Sequence, residues 1–132
     1  MAIQTKQQKR AEFALKKILE YKKLSKDANE FHDLANFIVS MPNMILSNGL
    51  AQTFAFLLTK KDKQKKTFSI IKDWIQSPTN ASFNIKGKED FEFLTYFSEI
   101  DQNKYIDVQN EVLHFVEWLK RYARSFDEKQ EV

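Results

Sequence analysis

The sequence predicts an all-α fold, a compact bundle of about six helices that forms a single helical domain over residues 1–132. With only two Gly and two Pro, the chain has little of the turn chemistry that a β-meander requires. Its 132 residues can bury one hydrophobic core, and 12 Phe, two Trp and four Tyr supply bulky side chains for it. Apolar residues also recur at helical spacing along most of the chain, as is typical of amphipathic helices.

Residues 34–59 are predicted to form the centre of the bundle, because this stretch contains no Asp, Glu, Lys or Arg although 30% of the chain is charged. After Pro42, which suits the first turn of a helix, apolar residues cover nearly the whole circumference of a helical wheel. Such a helix is either buried in a helical domain or spans a membrane. A span needs about 20 predominantly apolar residues. Polar residues and Pro42 interrupt this run, so we expect a buried central helix and no membrane segment.

Gly49 is predicted to lie inside this central helix, where a glycine costs roughly 0.5–1 kcal/mol relative to alanine. We attribute the glycine to the close passage of another backbone, where a Cβ would clash. Asn48 and Gln52 are expected to hydrogen-bond across that contact. The segment is therefore interpreted as a packing or interface feature in preference to a chemical site.

The first helix is predicted over residues 3–24, with alanines in the middle of its inner face. On the opposite face three lysines recur every seven residues along one line: Lys9, Lys16 and Lys23. A second basic shoulder lies beside this line and consists of Lys6, Arg10 and Lys17. Such a face is either an ordinary solvated exterior or a binding surface. The net charge of +3 is weak evidence for a polyanionic partner.

The second helix is predicted over residues 30–40, with a cap from Ser25 or Asp27. The central helix is followed by a basic connector at residues 60–66. Its lysines are expected either to stabilise the carbonyl groups at the end of the preceding helix or to touch phosphate.

Two more helices are predicted at residues 67–77 and 88–100. The irregular segment between them is expected to be anchored to the core by Phe83 and Ile85. The second of these helices is predicted to turn three side chains inward: Phe91, Leu94 and Phe97.

The last helix is predicted over residues 104–126, where apolar residues step alternately by three and four positions. These residues are Tyr105, Val108, Val112, Phe115, Leu119, Tyr122 and Phe126. They form a heptad-like seam, and its simplest partner is the central helix. Arg121 and Arg124 are predicted to lie on the outer surface of this helix.

No group of residues predicts an active site, a metal or a cofactor. The chain has no cysteine, and its two histidines, His32 and His114, lack a partner at the spacing of a ligand set or a catalytic pair. Both are expected at the surface, and the carboxylates are expected on exposed faces between lysines. Residues 1–20 also lack the apolar block of a signal peptide. We therefore expect a cytoplasmic protein that is not an enzyme.

Two runs carry a resemblance to a known family: MPNMILSNGLAQTFAFLLTK at residues 41–60 and EVLHFVEWLKRYA at residues 111–123. Their order and separation are similar to those in the small helical subunit of the type III-B CRISPR RNA-targeting effector, the Cmr or RAMP-module complex. The residues of these runs that we interpret as a packing and interface motif are Pro42, Asn48, Gly49, Gln52 and Trp118.

The resemblance implies a subunit without catalytic activity in antiviral defence against foreign nucleic acid. Its partners would be the backbone and large subunits of the Cmr effector, the CRISPR RNA and the target RNA. The chain would be a monomer in isolation, and stacked copies would lie along the guide-paired target RNA in the complex. Cleavage and signalling would belong to other subunits.

Under this resemblance the basic faces become candidates for contacts to RNA phosphates, which carry no sequence information. The candidate residues are Lys6, Lys9, Arg10, Lys16, Lys17, Lys23, Arg121 and Arg124. The alternative is a structural spacer or adaptor whose helices contact only proteins and whose lysines keep it soluble.

Overall fold

The structure, a computed structural model, describes residues 3–85, 87 and 89–129. These residues form seven α-helices and one 3-10 helix and contain no β-strand, which confirms the all-α prediction. The helices are α1 (Lys6–Leu24), α2 (Ala28–Val39), α3 (Met41–Asn48), α4 (Leu50–Thr59), α5 (Lys63–Ile75), the 3-10 helix (Pro78–Phe83), α6 (Asp90–Glu99) and α7 (Gln102–Ser125). None of the helices in the described ranges is both long and apolar enough to cross a membrane.

Three helices begin at a side-chain cap that the local sequence supplies. Thr5 accepts a hydrogen bond from the Gln8 N–H at 3.0 Å, and the Gln8 side chain accepts one from the Thr5 N–H at 2.8 Å. Asp27 caps α2, as one of the two predicted alternatives, and Asp101 caps α7. Such caps satisfy backbone donors that have no partner inside the helix, which fixes where each helix starts.

The core is rich in aromatic side chains. Its largest fully buried members are Trp74, Phe54, Phe68, Phe93 and Phe115. Phe54 meets Phe68 edge to face with ring centroids 5.5 Å apart, and Trp74 stacks on Phe115 at 5.1 Å. Pairs of this kind contribute about 0.5–1.5 kcal/mol each beyond the area that they bury.

The long helix α7 packs mainly along α1 and α2. The prediction that its apolar seam packs on the central helix holds only for the α3 part, because α4 packs mainly on α3, α5 and α6. Small side chains on α1, among them the fully buried Ala14, allow the two long helices to approach closely. Arg10 contacts Glu111, and further along both helices Lys22 contacts Phe126, so α1 and α7 run in the same direction.

The uncharged stretch forms three helices where we predicted two, because the chain breaks again at Gly49. Gly49 separates α3 from α4 with φ 81° and ψ 162°, so its predicted place inside a continuous helix is wrong. Only glycine adopts such dihedrals without strain. A Cβ on Gly49 would lie 3.5 Å from the Tyr105 hydroxyl, which is an ordinary contact. The backbone conformation, and no close passage of another backbone, therefore accounts for this glycine.

Side chains of α7 cap the break between α3 and α4. The Tyr105 hydroxyl accepts a hydrogen bond from the Ala51 N–H at 2.9 Å, and the Gln109 side chain accepts one from the Leu50 N–H at 2.9 Å. Two of the otherwise unsatisfied N–H groups at the start of α4 thus find partners more than 50 positions away in the chain. Pro42 lies in the first turn of α3, as predicted.

Several predicted boundaries need correction. Helix α1 begins at Lys6, three residues after the predicted start at 3. Helix α5 begins at Lys63, four residues before the predicted start at 67, because its first turn is basic and carries no apolar pattern. Helix α6 begins at Asp90, and the first residue of its predicted range, 88, lies outside the described residues. On α6, Phe93 and Tyr96 face inward with the predicted Phe97, whereas Phe91 is 79% exposed. Phe83 and Ile85 contact the core, as predicted.

Two acidic side chains are buried, which contradicts the expectation that all carboxylates lie on exposed faces. Glu111 is 5% exposed and Asp127 is 6% exposed. Asp127 lies 2.8 Å from Nδ1 of His32, and Nε2 of His32 lies 3.0 Å from the amide of Asn36. His32 is therefore half-buried and has a carboxylate partner, contrary to prediction, because residue 127 packs against α2. His114 is exposed, as predicted.

Candidate nucleic-acid interface

The lysine line of α1 lies on the outside of the bundle. We call Lys9, Lys16 and Lys23 the basic face of α1; Lys16 and Lys23 are exposed and Lys9 is half-buried. Lys16 lies 3.7 Å from Glu12, but their side chains are 73% and 52% exposed, so this pair is weak. Among the described residues, no carboxylate pairs with Lys9 or Lys23. These cations are therefore free to meet an external anion.

The second basic group of α1 is already engaged within the bundle. Lys6 lies 3.2 Å from Glu111, and Arg10 donates two hydrogen bonds to the same carboxylate, at 2.7 and 2.8 Å. Lys17 donates to Asp73 of α5 at 2.8 Å. The structure thus separates the two basic groups that the helical wheel placed side by side, because only the shoulder faces other helices.

Glu111 organises the contact of α1 with α5 and α7. Its carboxylate accepts the two hydrogen bonds from Arg10 and a third from the Trp74 indole N–H at 3.0 Å. Burial by itself would raise the pKa of Glu111, but the hydrogen bonds from Arg10 and Trp74 outweigh this effect and lower the pKa below its usual value. Glu111 is therefore a charged group that holds Arg10 in place.

The same competition acts on Lys17. Burial would lower the pKa of Lys17, but the hydrogen bond and the charge of Asp73, with the charge of Glu20, raise the pKa above its usual value. Lys17 therefore stays charged and tied to α5.

The two arginines predicted on the outer surface of α7 are exposed, as expected. Neither Arg121 nor Arg124 has an ion-pair partner among the described residues, although Glu117 lies one turn before Arg121. They form a second group of free cations, separate from the basic face of α1.

Trp118 lies beside these arginines on α7. It is half-buried and stacks on Tyr122, with ring centroids 5.7 Å apart and an angle of 27° between the ring planes. A groove of about 430 Å³ opens between α1 and α7, which we call the α1–α7 groove. Its lining residues are Gln7, His114, Glu117, Trp118 and Arg121.

The outer surface of α3 and α4 carries no charge. We give the name neutral face to six of its exposed residues: Leu46, Ser47, Asn48, Gln52, Ala55 and Phe56. Leu46 is 67% exposed and Phe56 is 39% exposed. Asn48 and Gln52, which were expected to hydrogen-bond across the Gly49 contact, point to solvent on this face. Pro42, another member of the predicted interface motif, is buried.

The described residues contain no group of three or more His, Cys, Asp or Glu close enough to hold a metal ion. Several carboxylates lie beside cations: Lys66 lies between Glu30 and Asp62, and Glu111 is one acceptor shared by several donors. This set of side chains is suited to ion pairs and to phosphate contacts.

Sequence reasoning missed Glu111, Gln109 and the capping role of Tyr105. Glu111 could have been found, because it follows Val108 by three positions and precedes Phe115 by four, which places it on the inner side of α7. A carboxylate at such a position needs a cation partner. Gln109 and Tyr105 gave no comparable signal, since their backbone partners come from a distant part of the chain.

Comparison with known families adds one match. The model of the family described as CRISPR-associated protein (Cas_Cmr5) matches residues 6–126, a range that includes all seven α-helices. No curated protein matches the chain.

Proposed function

Because the chain belongs to the CRISPR-associated Cmr5 family and is thus a small subunit of a type III-B Cmr complex, we propose that it contacts the backbone of RNA in that complex through the basic face of α1. In this proposal the protein also helps to assemble the complex through a different surface. It performs no catalytic step itself.

The observation that carries the proposal is the difference between the two basic groups of α1. Lys6, Arg10 and Lys17 are paired with carboxylates of other helices. Lys9 and Lys23, in contrast, have no carboxylate partner among the described residues. Lysines spaced along a helix neutralise phosphates without reading bases. Such contacts suit a complex in which the guide supplies specificity by base pairing.

The neutral face supports a role in assembly. Charged residues are depleted in the buried centre of protein–protein interfaces, and RNA phosphates attract positive charge. A surface with exposed Leu46 and Phe56 and no Lys or Arg therefore suits another protein subunit better than RNA. The two surfaces would let one subunit bind its neighbours and the nucleic acid at the same time.

The test compares two triple charge reversals. One variant carries Lys9→Glu, Lys16→Glu and Lys23→Glu; the matched control carries Lys60→Glu, Lys61→Glu and Lys65→Glu, which changes the net charge equally at exposed lysines elsewhere. RNA affinity is measured by fluorescence anisotropy of a labelled single-stranded RNA at several salt concentrations. Loss of three phosphate contacts should reduce the slope of log affinity against log salt by about 2.

The result expected is a weaker, less salt-dependent affinity for the α1 variant and a smaller change for the control. Equal losses in both variants would mean that binding follows net charge and would contradict a specific basic face. An α1 variant that binds RNA as tightly as the wild-type protein would support the alternative, a structural spacer that contacts only proteins.

A further inference from the structure

The α1–α7 groove combines an aromatic floor with polar walls. Trp118 lines the groove. Among the described residues, no acceptor receives a hydrogen bond from the indole N–H of Trp118, and this N–H is not buried. At about 430 Å³ the groove falls within the range of sites that hold small ligands. We propose that this groove binds one unpaired nucleobase, which stacks on Trp118 while Arg121 contacts the adjoining phosphate.

The stacking surface is held by neighbouring residues. Tyr122 stacks on Trp118, which restricts the orientation of the indole ring. Single-stranded RNA is recognised through unstacked bases that stack on aromatic side chains and hydrogen-bond through their edges. The indole therefore offers the kind of platform that a single base requires.

One wall of the groove is held in place through contacts to the buried Glu111. Arg10 is held on Glu111 and donates a hydrogen bond to Oε1 of Gln7 at 3.1 Å. The amide oxygen of Gln7 is thus occupied, so its NH₂ group is left to donate into the groove. A wall positioned before the ligand arrives lowers the entropic cost of binding.

The opposite wall supplies acceptors and a cation. Glu117 only accepts hydrogen bonds when ionised, and base edges carry N–H donors, so its carboxylate suits a base better than a phosphate. Arg121 has no ion-pair partner among the described residues and can contact phosphate through several N–H groups. The groove thus combines an aromatic floor, one wall that donates hydrogen bonds, one acceptor and one cation. This combination matches a nucleotide more closely than it matches a protein side chain.

This inference takes RNA from the proposed function as its ligand, but it uses a surface other than the basic face of α1. A single nucleotide should therefore bind in the groove even when Lys9, Lys16 and Lys23 are reversed. The two proposals can fail independently.

The structure supplies an internal reference for the test. The chain has two tryptophans. The other, Trp74, is 1% exposed and donates its indole N–H to Glu111 at 3.0 Å. In a ¹H–¹⁵N spectrum of the full chain, the two indole signals are assigned with Trp118→Phe.

AMP and UMP are titrated to millimolar concentration, with ribose 5-phosphate as a probe that lacks the base. We expect the Trp118 indole signal to shift with both nucleotides, the Trp74 signal to stay in place, and ribose 5-phosphate to have no effect on either. No shift at Trp118, or an equal shift with ribose 5-phosphate, would overturn the stacking site. The shift should persist in the Lys9, Lys16 and Lys23 reversal.

A second measurement uses a single-stranded oligouridine. Trp118→Ala should weaken its binding about fivefold or more, the effect typical of losing one base–aromatic stack, whereas Trp118→Phe should recover part of it. Phe91→Ala, which removes an exposed aromatic ring from α6, serves as the matched control and should change nothing. If the oligonucleotide binds more tightly than UMP, the ligand is a strand. If the two bind with equal affinity, the ligand is a free nucleotide. If Trp118→Ala impaired assembly of the complex but neither RNA nor nucleotide binding, the groove would be a protein site and the proposal wrong.

Discussion

Glu111 shows how one side chain orders the surface beside it. It is buried, it is charged, and it holds Arg10 through two hydrogen bonds and Trp74 through a third. By fixing Arg10 it also fixes Gln7 at the edge of the α1–α7 groove. A carboxylate in the core is thus connected to a candidate binding surface through two further side chains.

Glu111→Gln should lower the free energy of unfolding by about 3 kcal/mol at pH 7, because Arg10 would keep its charge without a counter-charge. The hydrogen bonds lower the pKa of Glu111 in the folded protein, so the stabilisation from its charge is complete above the unfolded pKa of about 4.3. It is lost as the pH falls through the lower folded pKa. Urea unfolding at pH 7 and below pH 4 measures this difference.

The control for this experiment is Glu99→Gln, at an exposed position in the last turn of α6. It should leave the unfolding free energy nearly unchanged at pH 7. A Glu111→Gln variant as stable as the control at pH 7, or a stability difference that does not shrink in acid, would contradict the role assigned to the carboxylate.

At the scale of helices, the break between α3 and α4 depends on two parts of the chain. Gly49 supplies a backbone conformation that other residues rarely adopt, and α7 supplies the hydrogen-bond acceptors that start α4. The break turns the chain within the uncharged segment, so that α4 reaches α5 and α6 while α3 stays against α7.

Gly49→Ala should destabilise the protein by about 1–3 kcal/mol, because alanine is strained at this positive φ. The expected cause is the backbone alone, since the added Cβ would meet only an ordinary contact at 3.5 Å. Thermal unfolding of Gly49→Ala is compared with that of Asn48→Ala, an exposed neighbour at the end of α3. Similar melting temperatures for the two variants would show that the positive φ is not needed.

The sequence predicted which segments are helical, but the pattern could not show how they meet. The apolar run continues through Gly49, so its periodicity indicated one helix, and the acceptors that cap α4 lie on α7. The start of α5 was predicted late for a related reason, because a basic first turn has no apolar residues to indicate it. The inner face of α7 was predicted, whereas its main partners, α1 and α2, were not, since a seam does not specify which helix covers it.

At the scale of the whole molecule, the distribution of charge matters more than its sum. A net charge of +3 gives little general attraction for RNA. Among the described residues, cations without an ion-pair partner lie on the outside of α1, on α7 and at Lys60, Lys61 and Lys65, while α3 and α4 carry no cation. The helical wheel predicted the lysine line and the shoulder beside it, but it could not show that Arg10 is paired while Lys9 and Lys23 are free, because only tertiary packing brings Glu111 to Arg10.

The neutral face can be tested by introducing charge. Leu46→Lys with Gln52→Lys should leave the melting temperature nearly unchanged, because both side chains are exposed, but should reduce incorporation into the Cmr complex. Ile106→Lys with Asn110→Lys is the matched pair on α7, which also exchanges one exposed apolar and one exposed polar residue. Copurification with the other subunits measures incorporation, and normal incorporation of the first pair would exclude this face as an interface.

The most direct test of the central claim is target-RNA binding by the reconstituted complex. Three forms of the small subunit are compared: the wild-type protein, the Lys9, Lys16 and Lys23 reversal, and the Lys60, Lys61 and Lys65 reversal. Native mass spectrometry first establishes that each complex contains the subunit. We predict that the α1 reversal assembles normally but binds target RNA more weakly and with a smaller salt dependence than the control. Unchanged RNA affinity in a fully assembled complex with the α1 reversal would contradict the proposal that this face contacts the RNA backbone.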